Sequence, residues 1–291
     1  MLKRIVTALV ALVIFIPVVI LSNTYVFPIA IGIVCCIGLF EMLRCIGVLK
    51  IWYLSVPLML VGLAMPPIAR LFDRLSRESD LHFVILAVAI LVALYIFAVS
   101  LFSKGKLQIE LAGLTFMTEF YIVGGFTSIV LLHDFEDIGI YLFMLIFVGA
   151  WITDIFAYFT GKFFGKHKLI PEISPKKTIE GSIGGIVFCS AFYVLYGFII
   201  STFADTVNVS GGQYAVLAVV GIIISVVAQI GDLTMSQIKR KFGVKDYGKI
   251  MPGHGGVLDR FDSIIAVAFV LIIACAVVRE FGLNVFTLNK V

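Results

Sequence analysis

The sequence predicts an all-α, polytopic integral membrane protein with about nine transmembrane helices and a cytoplasmic N-terminus. Composition is the first reason: 61% of the 291 residues are hydrophobic, 14% are charged, and the mean hydropathy is +1.13. A soluble domain carries about 25% charged residues, so this chain lacks the polar surface that water demands. Segmentation is the second reason, because apolar runs near the ~20 residues that cross a bilayer recur along the whole chain. The third is the placement of Lys and Arg, which crowd into alternate connections.

In chain order the candidate spans are 5–22, 25–43, 52–69, 83–102, 111–132, 138–160, 183–203, 214–235 and 261–283. Lys3 and Arg4 ahead of the first run imitate a signal peptide. No small-residue cleavage site with a soluble domain follows, so the run reads as a retained helix. The link from Ser22 to Thr24 is only a turn long. Assigning alternate connections to one side puts 17 of the 22 Lys and Arg there, and the positive-inside rule makes that side cytoplasmic. The two polar segments described below then share the cytoplasmic face. The lack of a long N-terminal extension favours a plasma or inner membrane of bacterial type.

No long linker, low-complexity tract or repeated half interrupts the chain, so it reads as one membrane domain, with N-terminal helices over 1–135 and the charged loops in a C-terminal region over 136–291. Cys35, Cys36, Cys45, Cys189 and Cys275 lie in or beside spans without zinc or redox spacing and read as packing residues. The net charge of +4 reflects loop placement rather than a nucleic-acid footprint, so no nucleic-acid partner is expected. His82, His133 and His167 read as surface residues. Glu41 and Glu119 sit inside apolar runs, and nothing in the sequence places either near the chemistry.

Charge concentrates between Ser236 and Asp262, SQIKRKFGVKDYGKIMPGHGGVLDRFD, with eleven ionisable side chains and five glycines. Charge beside hydrocarbon is costly and marks a functional site by default. If the eighth span continues as a helix, Asp232, Ser236, Lys239 and Arg240 fall on one face. Asp259 and Asp262 recur three residues apart where the ninth span begins, so three carboxylates can converge from two helix ends. Such a group needs a cation, and hard oxygen ligands beside Lys and Arg suit Mg²⁺ shared with phosphate oxygens. Gly253, Gly255 and Gly256 would let backbone N–H groups approach a phosphate ahead of a helix. His254 between glycines reads as a phosphate donor or a loop residue, and Asp246 as a site residue or a partner of Lys245 or Lys249.

A second polar segment lies between the sixth and seventh spans. It holds Asp154, Lys162 to Lys168, and then Ser174-Pro175-Lys176-Lys177-Thr178-Ile179-Glu180-Gly181. Ser174 before Pro175 predicts an N-cap opening a short helix with Lys176 and Lys177 in its first turn. Thr178 could also cap, and Glu180 could pair with Lys177.

The pattern S-x-x-K-R-x4-K-D-x-G-x3-P-G-H-G-G-x-x-D-R-x-D from Ser236 to Asp262 resembles the signature of phosphatidate cytidylyltransferases. So do Gly231-Asp232-Leu233 and SPKKTIEGSIGG from Ser174 to Gly185. The resemblance implies transfer of CMP from CTP to phosphatidic acid, giving CDP-diacylglycerol and pyrophosphate with Mg²⁺ required. A monovalent cation could accompany it. It assigns Asp232, Asp259 and Asp262 to metal, and Lys239, Arg240, Lys245, Asp246, His254 and Arg260 to the reaction. Ser174, Lys176, Lys177, Thr178, Glu180, Ser236, Gly255 and Gly256 go to substrate, with CTP and the lipid phosphate undivided between clusters. A homodimer is expected from the resemblance and from the frequency of twofold oligomers. Two other readings compete: a CTP-dependent lipid-alcohol kinase, and a transporter of a phosphorylated solute. Charge gathered at one face without repeated halves speaks against the transporter.

Overall fold

The computed structural model describes residues 13, 15–75, 78–204, 207–253, 255–281 and 285–288. Eight described helices are long and apolar enough to cross a membrane. They are α1 (Val26–Cys45), α2 (Trp52–Arg74), α3 (Glu78–Phe102), α4 (Ile109–His133), α5 (Gly139–Phe164), α6 (Ile179–Phe203), α7 (Gly211–Lys241) and α8 (Leu258–Glu280). The chain is therefore an all-α, multi-pass membrane protein. Half of the span expected over 5–22 lies outside the described residues, and Phe15–Ile20 are helical.

Many large apolar side chains in the middle of these helices are exposed, among them Leu91, Leu94, Met117 and Val187, as a lipid surrounding calls for. At 31 residues α7 is about 46 Å long, well beyond a ~30 Å hydrocarbon core. Its last turns, with Asp232, Ser236, Lys239 and Arg240, thus continue as helix past the apolar run, which is the condition under which these four share one face.

Two compact units divide the chain. The first comprises 1–131 and 241–261, the second 132–240 and 262–291. In the first, α1 packs on α2 by backbone approach: a Cβ on Gly32 would strike the Leu63 carbonyl, and one on Gly62 the Leu39 side chain. Buried Arg70 on α2 donates to the carbonyls of Ser22 and Thr24 and lies over the Phe27 ring, which fixes the turn leading into α1.

In the second unit α5 and α6 meet along small residues. A Cβ on Gly181 would stand 2.6 Å from the Ala157 carbonyl and 3.1 Å from Gly161 Cα. Polar bridges lock the trio α5, α6 and α7: Thr153 Oγ1 donates to Ser225 Oγ at 3.0 Å, Tyr193 OH to Leu145 O at 2.9 Å, and Ser190 Oγ to Ala218 O at 2.9 Å. In an apolar medium such bonds stabilise by about 0.6–2 kcal/mol each.

Between α5 and α6 lies an antiparallel hairpin, β1 (Lys168–Ile170) with β2 (Ser174–Thr178). It replaces the short helix expected after Ser174. The residue before a proline avoids the helical region, which keeps Ser174 extended. Thr178 supplies the cap instead, its Oγ1 accepting from Gly181 N–H at 3.1 Å, so α6 starts at Ile179. A second short pair joins β3 (Val207–Asn208) to β4 (Thr287–Leu288). His133 is buried against Asp134 and Phe143 rather than at the surface.

Candidate active site

In the second unit the polar segments meet. Extended β2 puts Lys176 and Lys177 on the wall of a cavity of about 380 Å³, with Asp154, Lys162, Lys168 and Gln229 among its other walls. The absence of side chains at Gly161 and Gly181 lets α5 and α6 close beneath it. Lys177 Nζ stands 2.5 Å from Asp232 Oδ2, linking the two segments that were far apart in sequence. The pair has the distance of an ion pair without hydrogen-bond alignment, and the ammonium nitrogen is shielded from solvent without an aligned acceptor. Ser236 Oγ donates to the other oxygen, Asp232 Oδ1, at 3.4 Å.

Asp154, Asp232 and Asp262 lie close enough for each to feel another's charge, and Lys177 and Lys239 lie within the same field. Asp262 Oδ1 also accepts from Ser263 N–H at 2.9 Å. Lys239 is buried, whereas Arg240 one residue on is exposed. A lysine without solvent needs anions around it, and these carboxylates supply them.

In the first unit the Gly-rich segment is held by carboxylates. Asp259, in the first turn of α8, accepts at Oδ2 from Tyr247 N–H at 2.8 Å and from Gly256 N–H at 2.9 Å. Glu41 on α1 accepts from Val257 N–H at 3.1 Å and Leu258 N–H at 2.9 Å. The amides expected to cradle phosphate at Gly256 and the start of α8 are thus already engaged by the protein itself. Gly255 adopts φ +91°, open to glycine, and a Cβ there would approach Asp259 Oδ2 at 3.0 Å. Lys245, Asp246 and Arg260 are exposed on this segment, and His254 lies outside the described residues.

Glu180 takes a different partner from the expected Lys177: its carboxylate accepts from Lys166 N–H at 3.1 Å and His167 N–H at 3.2 Å and meets His167 Nδ1 at 2.7 Å. It braces the start of the hairpin. Ser174 is half-buried in β2.

Among the described residues no three His, Cys, Asp or Glu side chains stand together as a ready-made metal pocket. Asp232, Asp262 and neighbouring Asp154 nevertheless form an acidic group whose charge nearby lysines offset. That donor set fits a hard cation such as Mg²⁺, which takes one or two protein carboxylates and completes its shell with water and substrate phosphate. Two residues were not legible as site residues. Glu41 showed only as a charge in an apolar run and Arg44 belonged to no motif, because their partners lie some 200 positions later.

Residues 2–278 match the model of the cytidylyltransferase family. The chain is 35% identical over 260 residues to the phosphatidate cytidylyltransferase of Staphylococcus saprophyticus, covering 89% of this chain and 93% of the relative. Phosphatidate cytidylyltransferases of Staphylococcus aureus strain COL and Staphylococcus haemolyticus are also 35% identical, with the same coverage. The match takes in both polar segments and the helices that present them, and the chain belongs to the cytidylyltransferase family.

Proposed function

We infer that the protein transfers the cytidylyl group of CTP to phosphatidic acid, forming CDP-diacylglycerol and pyrophosphate for phospholipid synthesis. One observation carries the reading beyond kinship. The Lys177–Asp232 ion pair brings a lysine-lined cavity of about 380 Å³ together with an acidic group, which is the charge pattern needed to hold a polyanion beside a metal.

In the reaction an oxygen of the phosphatidate headgroup attacks the α-phosphorus of CTP. A new P–O–P bond forms, the α–β bond breaks, and pyrophosphate departs with its electron pair. The attacking phosphomonoester has a second pKa near 6 and is anionic without a general base. The obstacle is repulsion between polyanions, and nucleotidyl transfer of this kind depends on positioning and charge stabilisation.

Lys176 and Lys177, with Lys162 and Lys168 lining the same cavity, supply the neutralising charge. The shielded ammonium of Lys177 leaves a donor for a substrate phosphate oxygen. We assign Asp232 and Asp262 as the protein's magnesium ligands and Asp259 to the order of the Gly-rich loop. Bound there, Mg²⁺ would screen charge on the phosphates. Lys239, Arg240, Lys245 and Arg260 are assigned to the triphosphate and pyrophosphate from the signature.

Placement at the cytoplasmic face of a plasma membrane is part of the proposal, supported by the Lys and Arg asymmetry and by the bacterial relatives. Water-soluble CTP and a lipid whose acyl chains remain in the leaflet could meet there. A homodimer is proposed from the frequency of twofold assembly. The test is to incubate purified protein with CTP, Mg²⁺ and phosphatidic acid and identify products by mass spectrometry. CDP-diacylglycerol with pyrophosphate is expected. CDP with a newly phosphorylated lipid would point to a kinase, and unchanged CTP would remove the reading.

A further inference from the structure

Glu41 is fully buried in an apolar stretch of α1, where a carboxylate is tolerated only if donors meet it. The donors are the N–H groups of Val257 and Leu258 at the entry to α8, amides that no carbonyl within the helix can satisfy. Gly248 and Gly256 make the room, since a Cβ on either would collide with the Glu41 carboxylate. Three residues along α1, Arg44 Nη2 donates to Tyr247 O at 2.5 Å. Tyr247 in turn gives its N–H to Asp259, whose second bond is to Gly256 N–H. Two side chains of α1 therefore grip both ends of residues 247–258.

We propose that Glu41, assisted by Arg44, is a positioning residue for cytidylyl transfer, with two glycines of the signature serving as its socket. The proposal rests on the cytidylyltransferase reading above. The grip is directional: an apolar side chain at 41 would fill space but leave two amides unpaired, whereas a carboxylate fixes the orientation of the turn that carries Asp259 and Arg260. It has a second consequence for binding. A helix N-terminus attracts phosphate, and this one already holds an anion of the protein's own. Substrate phosphates are thereby directed to Lys and Arg side chains instead of the start of α8.

The test uses the full chain in proteoliposomes containing phosphatidic acid, comparing Glu41→Gln and Gly248→Ala with the unaltered protein. Glu41→Gln keeps shape but replaces one acceptor oxygen with a donor, and Gly248→Ala crowds the carboxylate without altering it. Both are expected to lower kcat about 10- to 100-fold, the loss typical of a small misplacement of reacting groups, while KM for each substrate stays within threefold. Hydrogen exchange should rise in peptides covering 247–258 and remain unchanged in α2, and CTP should bind with unaltered stoichiometry. Either variant with kcat within threefold and unchanged exchange overturns the proposal. Exchange rising throughout the first unit together with lost CTP stoichiometry also overturns it, because Glu41 would then only hold the fold. Failure of the unaltered protein to make CDP-lipid would instead reject the functional reading, and exchange at 247–258 would still report on the grip.

Discussion

Replacing Lys177 with methionine keeps an unbranched apolar stem one atom shorter and removes the charge that joins the two polar segments. Unit charges 2.5 Å apart, as Lys177 Nζ and Asp232 Oδ2 are, attract by about 1.7 kcal/mol at a dielectric constant near 80 and about 6.6 kcal/mol near 20. Both side chains are about a quarter exposed (26% and 27%), so desolvation and screening offset much of this. For catalysis the relevant quantity is one charge-assisted contact to a substrate phosphate, about 1.5–3 kcal/mol. At 1.36 kcal/mol per decade, Lys177→Met should lower kcat/KM about 10- to 150-fold. The same change removes the cation that competes with a metal for Asp232, so half-maximal activation should need less Mg²⁺. The assay is CDP-diacylglycerol formation in detergent micelles, with CTP, phosphatidic acid and Mg²⁺ titrated separately. A variant within threefold of the parent on both substrates, with an unchanged Mg²⁺ requirement, would show that Lys177 neither meets a substrate phosphate nor competes with the metal.

Asp262→Asn should abolish CDP-lipid formation while leaving expression and membrane insertion intact; measurable turnover above about a hundredth of the parent rate would remove it from the metal set. Gly181→Leu drives a side chain into the Ala157 carbonyl, and overpacking of about 1–3 kcal/mol should appear as a Tm lower by several degrees in detergent. His167→Ala deletes an exposed partner of Glu180, so stability should change by no more than about 1 kcal/mol and activity by less than twofold. Chelation of divalent cations should stop product formation, with recovery on adding Mg²⁺ but not Na⁺.

The helices were legible because twenty-residue apolar runs have few alternatives in a bilayer, whereas the continuation of α7 was a condition for the common face of Asp232, Ser236, Lys239 and Arg240 that only the structure meets. The hairpin was not. Ser174-Pro175 satisfies both a helix start and an extended strand, and pairing with Lys168–Ile170 decided between them. Gly256 shows a related limit, its N–H being taken by Asp259. Glycine before a helix suits a phosphate, but it equally suits a carboxylate arriving from another helix, and only the fold shows Glu41 in that place. Asp259 and Asp262 share a sequence rhythm, yet Asp259 already holds two loop amides while Asp262 lies in the field of Asp232 and Lys239. Spacing reports which residues can share a face, and not which polar groups already satisfy one another.

In cytidylyl transfer the α-phosphorus of CTP passes to the lipid. The direct measurement supplies purified protein with Mg²⁺, phosphatidic acid and CTP labelled at either the α- or the γ-phosphorus, then separates lipid from aqueous products. α-Label should appear in the lipid fraction and γ-label in pyrophosphate. Lipid carrying the γ-label, with the α-label left in soluble CDP, would contradict it.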